Sequence, residues 1–163
     1  MSSTNMTTDP ATPVAGAGTI AMKLEVVTLP VSDVDRAKRF YQNLGWRLDN
    51  DVTIGDARGV HFTPPHSECS ITIGRGLTAT APGSVQRLEL IVIVSDIEEA
   101  RADLIGRGVE VSELFHRDES GLAPGPDPER RSYLTYASFS DPDGNGWLLQ
   151  EVTSRPPSRL WQD

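Results

Sequence analysis

VSDVDRA, at residues 31–37, recurs as VSDIEEA at residues 94–100. The offset of 63 residues (94 − 31) also carries Gly45 onto Gly108, so the two copies stay in step across a whole helix. Each copy opens on an apolar, β-branched run, LEVVTLPV at 24–31 and LELIVIV at 88–94, short enough to be a strand. A helix follows in each. Ser32 and Ser95 are expected as its N-caps, and Ser95 with Glu98 reads as a capping box. Val34, Ala37, Tyr41 and Leu44 share one face of the first helix, and Ile97, Ala100, Leu104 and Ile105 one face of the second. Gly45 and Gly108 supply the left-handed residue that ends each helix.

The strand pattern then resumes, at about 46–49, 59–63 and 69–73 in the first copy and 109–115, 133–139 and 147–152 in the second. The turn Thr63-Pro64-Pro65-His66-Ser67 matches Asp141-Pro142-Asp143-Gly144-Asn145, a tight turn rather than a calcium loop. The second copy carries an extra polar stretch, 117–131, expected as a loop. Each unit is thus strand–helix–strand–strand–strand, and one such unit cannot cover its own sheet. The expected fold is α+β: two βαβββ modules forming a curved mixed sheet, helices outside and a concave bowl inside. A leader spans 1–21 and the domain 22–153, with module 1 at 22–77, a linker at 78–84 and module 2 at 85–153. A tail follows at 154–163.

The chain has 163 residues and a net charge of −8, from 15 Lys and Arg against 23 Asp and Glu. That balance argues against a nucleic-acid partner, which needs a basic surface to displace counterions. The single cysteine, Cys69, makes no internal disulfide, and no CxxC zinc spacing exists. No apolar run nears the roughly 18 residues of a membrane helix. The leader has no basic residue and reads as disordered rather than as a secretory signal, so a cytoplasmic, membrane-free protein is expected.

VVTLPVSDVDRAKRFYQNLGW (26–46) and FSDPDGNGWLLQEV (139–152) resemble the vicinal-oxygen-chelate superfamily, the glyoxalase, bleomycin-resistance and dioxygenase type. The resemblance covers about 22–153 and implies lyase, isomerase, dioxygenase, thiol-transferase or purely antibiotic-binding activity. It also implies a homodimer. Members that are enzymes usually hold one divalent metal in the bowl, with ligands from the first and last strand of each module. Those positions fall here on Val26, Ser70, Glu89 and Leu148. Val and Leu have no donor atom, and a Ser hydroxyl is a poor ligand for such metals. About three protein ligands are normally required. No cofactor is therefore expected, and a divalent metal on an irregular site using Glu89 and Gln150 is the alternative.

Glu89, inside LELIVIV, is the candidate catalytic residue: a carboxylate desolvated among apolar neighbours suits a general base or acid. Its plain reading is a salt-bridged or edge-exposed glutamate. The bowl is expected to be walled by Val26, Thr28, Ile91 and Leu148, with Ser70, Glu89, Gln150 and His61 as its polar groups. His61 faces either the bowl or the helices; His66 falls in a turn, and His116 begins the long insertion. Phe40, Tyr41, Trp46, Phe139 and Trp147 read as core. Trp161 lies in the tail and is expected to dock on the domain or a partner. These readings favour a protein that binds a small, largely apolar organic molecule without a metal. The alternative is an enzyme using Glu89 as a base or as a metal ligand.

Overall fold

A computed structural model of the protein describes residues 18–160. Most of the expected leader, and Trp161, lie outside the described residues. The first module supplies a four-stranded sheet of order β1-β4-β3-β2. In it β1 (Val26–Pro30) runs parallel to β4 (Ser70–Arg75), while β3 (Ala57–Thr63) lies antiparallel to β4 and to β2 (Arg47–Ile54). The second supplies a five-stranded sheet of order β5-β9-β8-β6-β7. It contains β5 (Leu90–Val94) parallel to β9 (Gly146–Glu151), then β8 (Thr135–Ser140) and the hairpin β6 (Phe115–Asp118) and β7 (Gly121–Pro124). Helix α1 (Val34–Asn43) joins β1 to β2, and α2 (Ile97–Gly106) joins β5 to β6. Each helix lies in the long connection that a parallel strand pair requires.

Successive strand side chains alternate between faces, and one face of β1, β3, β4, β8 and β9 supplies the buried core. Leu29, Val60, Phe62, Ile71 and Ile73 from the first sheet pack with Ala137, Phe139, Trp147 and Leu149 from the second in one buried cluster. The helices close it with Val34, Ala37 and Tyr41 from α1 and Ile97 and Leu104 from α2. Tyr41 is fully buried, its ring centroid 5.4 Å from Trp46, 5.8 Å from Phe62 and 6.3 Å from Trp147. Burying each such side chain contributes roughly 1.5–3 kcal/mol. Ile105, expected on the buried face of α2, is instead 45% exposed.

The helix starts differ from expectation by one residue. Asp33 and Asp96 are the N-caps, their carboxylates accepting the amides of Arg36 and Glu99 at 3.0 Å. Ser32 sits one position earlier, where its amide and hydroxyl donate to Asp143. Serine and aspartate both cap, but an aspartate adds a negative charge at the positive end of the helix dipole. Gly45 and Gly108 do end the helices, with φ of 80° and 83°.

The second module carries one strand more than expected. The stretch 117–131 is not wholly loop: Asp118 to Gly121 turns β6 back into β7. The Asp118 carboxylate accepts the Ser120 amide at 2.8 Å and its hydroxyl at 2.6 Å. This is an Asx turn, closed by Gly121 at φ 116°. The strand expected at 109–115 in turn begins only at Phe115. Upstream, the Ser112 hydroxyl accepts the Ser138 amide at 2.9 Å, taking the place of a strand carbonyl and interrupting the ladder.

Candidate functional site

The faces that both sheets turn away from their helices hold most of the residues expected to bind ligand. On the first sheet, Val26 and Thr28 of β1 pair with Ser70 and Thr72 of β4. His61 pairs with Thr72 from the other side, so it faces away from the helices rather than toward them. On the second sheet Ile91 pairs with Leu148, and Gln150 stands two residues further along β9. Val26 is 40% exposed and Ile91 50%, as is Ile93 at 46%. Leu148 is buried apart from the main core. The pairing corrects one equivalence: Ile91 meets Leu148 as Thr28 meets Thr72, so Thr72 rather than Ser70 occupies the place of Leu148. The shift of two residues keeps the same face.

Glu89 is not in a strand. It ends a turn before β5, is exposed, and its carboxylate accepts the Gln86 amide at 3.0 Å. The desolvation that would make it a general base is lacking. Val26 and Leu148 have no donor atom and the other members of the metal-position set are Ser70 and this turn-bound Glu89, so these residues do not fit a divalent metal. Among the described residues no three His, Cys, Asp or Glu side chains come together as a metal site. Gln150 donates to the Tyr133 carbonyl at 2.9 Å, and Tyr133 itself adopts φ 74°. His116 is buried at the base of the hairpin, its Nδ1 2.8 Å from the Gly125 carbonyl oxygen. His66 is exposed in its turn.

Two groups on these faces were missed from sequence. The first is polar. A register shift between Leu48 and Asn50 bulges Asp49 out of β2. Its carboxylate accepts Arg47 Nε at 2.5 Å and the Thr63 hydroxyl, and Thr63 Oγ1 lies 2.7 Å from Ser70 Oγ. The Arg47 guanidinium, then the Thr63 hydroxyl, hold Asp49 below the usual carboxylate range. The second is aromatic: the Phe115 and Tyr136 rings lie 5.5 Å apart, and the Arg87 guanidinium stacks over Phe115 at 5.0 Å. Alternation from a correctly bounded β6 would have placed Phe115 on this face; nothing in the sequence pattern before β5 pointed to Arg87.

Two clefts lie elsewhere. One, of about 390 Å³, is lined by Phe40, Val109, Glu110, Phe139 and Asp141. The other, of about 240 Å³, is lined by Ser32, Asp35, Arg58 and Arg75 at the start of α1. Neither contains a residue expected to bind ligand.

The paired parallel strands and duplicated modules find their match in a family model, the glyoxalase/bleomycin resistance protein/dioxygenase superfamily, over residues 23–149. The chain belongs to this superfamily. Among solved structures of the superfamily's fold, the antibiotic-binding protein TnmS3 from Streptomyces sp. CB03234 is 27% identical. It has a TM-score of 0.63, with 81% of this chain and 97% of that one covered. A glyoxalase/bleomycin resistance protein from the same organism is 28% identical, with a TM-score of 0.61, and the match covers 79% and 100% of the two chains. A superfamily member from Sphaerobacter thermophilus DSM 20745 is 26% identical, with a TM-score of 0.59 over 80% and 98%. No curated protein matches the chain. Among the described residues no helix is long and apolar enough to cross a membrane.

Proposed function

We propose that this superfamily member binds a small, largely apolar, aromatic molecule against the outward sheet faces, without a catalytic metal, and that a second copy of the chain completes the bowl. One observation carries the reading. Val26 on the first sheet and Ile91 and Ile93 on the second are exposed, on outward faces that also carry polar groups and whose opposite sides contribute to the core. Exposed apolar side chains gathered on such faces mark a ligand or partner surface. The Phe115–Tyr136 pair with Arg87 adds a platform for a flat ring. Likeness to an antibiotic-binding protein supports sequestration as the role. The donor-free Val26 and Leu148 support a metal-free site.

The two sheets themselves call for the second copy. Their outward faces belong to separate sheets with no strand pairing between them, and β1 and β5 are both unpaired edges. A facing copy would cover the apolar side chains and enclose the ligand from two sides.

The test is a thermal-shift titration of the full chain with 2-naphthol as a planar aromatic probe, beside elemental analysis of the purified protein. Stabilisation that grows with ligand concentration is expected, reaching about 2.7 kcal/mol at a hundred times the Kd. It should be lost in Ile91→Glu. A stoichiometric divalent metal, or turnover of the bound compound, would overturn the reading.

A further inference from the structure

The Asp49–Thr63–Ser70 chain has a direction, and the direction says what kind of group it receives. Asp49 is held ionised by Arg47 and Thr63, and an ionised carboxylate only accepts hydrogen bonds. Thr63 therefore donates its single hydroxyl hydrogen to Asp49. With that hydrogen committed, the 2.7 Å contact between Thr63 Oγ1 and Ser70 Oγ is filled only if Ser70 is the donor. Ser70 then has no hydrogen left. Its remaining lone pairs are an acceptor.

The placement makes that acceptor the accessible end of the chain. Thr63 is only 3% exposed, whereas Ser70 is half-buried on the outward face. Val26, the cross-strand partner of Ser70 on β1, stands beside it and is 40% exposed. A molecule lying on this face thus meets an apolar flank and one oriented oxygen. Hydrogen bonds in series polarise one another, so the charge on Asp49 strengthens Ser70 as an acceptor at the far end.

We propose that Ser70 binds the O–H or N–H of an aromatic ligand, acting as an acceptor because its own proton is directed through Thr63 to Asp49. This rests on the aromatic-binding reading above and deepens it. The relay selects for a phenol-like ligand and against the corresponding ether, whose oxygen would set lone pairs against those of Ser70.

The test compares 2-naphthol with 2-methoxynaphthalene by isothermal titration against the full chain and two variants, Ser70→Ala and Thr63→Val. The ether is the more apolar of the pair, so burial alone would favour it. Wild-type protein is expected to prefer 2-naphthol by up to about tenfold, the range of one neutral hydrogen bond. Ser70→Ala should erase the preference. Thr63→Val releases the Ser70 hydrogen to donate outward, so the ether should gain affinity relative to the phenol. That gain distinguishes a directed relay from a merely structural one. Equal affinity for the two compounds in wild-type protein overturns the role of Ser70 while leaving aromatic binding intact. Binding of neither compound overturns the aromatic reading and this proposal with it.

Discussion

The Tyr41 hydroxyl donates to the Asp141 carboxylate at 3.0 Å, joining a helix of the first module to the turn that precedes the last strand of the second. The same oxygen accepts the Trp147 indole N–H at 3.0 Å, and Asp141 also accepts the Asn145 side chain at 2.9 Å. Asn145 reaches on to the Pro30 carbonyl at 3.1 Å. One buried polar chain thus fastens the two repeats together. Its members satisfy one another, which is why so much polarity is tolerated in the core.

Tyr41→Phe keeps the ring packing and removes the hinge of this chain. The Trp147 N–H loses its acceptor and Asp141 one donor, both away from water. A loss of about 2–3 kcal/mol is expected, within the range for buried groups left unpaired. Urea unfolding checks it, with an unchanged m-value showing that the compactness of the two states is preserved. Burial already holds the Asp141 carboxyl above the usual range, and the Tyr41 hydroxyl opposes that shift. In the variant, the NMR titration of Asp141 should therefore move higher still.

The helix caps offer a sharper contrast. Asp33→Ala and Asp96→Ala should each cost about 1 kcal/mol, because each removes an acceptor from a helix-start amide. Ser95→Ala should stay within about 0.5 kcal/mol, since Ser95 is not the cap. Thermal unfolding of the three variants side by side decides between the aspartates and the serine.

That contrast shows where the sequence was legible. The repeat and its apolar alternation specify strand, helix and core face, because burial of Leu29, Phe62, Trp147 and Leu149 depends only on the period of the pattern. VSD followed by a helical run leaves two adjacent capping residues, and only the position of the first helical residue chooses between them. Likewise LELIVIV does not say where β5 starts. Glu89 falls just outside it, because Glu89 N donates to the Gln86 carbonyl at 3.0 Å and closes a turn instead of entering the ladder. The Asp49 bulge was hidden for a related reason: one extra residue in β2 depends on its pairing with β3, which a local pattern does not contain.

Glu89→Gln tests the placement of Glu89. An exposed glutamate in a turn, replaced by its isostere, should change stability by no more than about 0.5 kcal/mol. Affinity for 2-naphthol should be unchanged, whereas Ile91→Glu, two residues on and in the strand, should abolish it. A large loss of binding in Glu89→Gln would return Glu89 to the site.

Asp127 is fully buried and held by Arg131 through three contacts: its amide at 2.8 Å, Nε at 3.0 Å and Nη2 at 2.7 Å. The Arg131 guanidinium is the main reason the Asp127 carboxyl sits below its ordinary 3.8. A carboxylate with a lowered folded pKa stabilises the protein above the unfolded value, and that contribution is lost as pH falls through the folded value. Arg131→Met leaves the buried charge with only the backbone amide of residue 131. The arginine is 41% exposed, so a cost of about 2 kcal/mol at neutral pH is expected, short of the 3–5 of a fully buried pair. Urea unfolding from pH 7 down through 3.8 checks the sign. The gap between wild type and variant should be widest at neutral pH and close on acidification, as Asp127 takes up a proton in both. A gap that stays constant across that range would mean that Arg131 acts through packing alone.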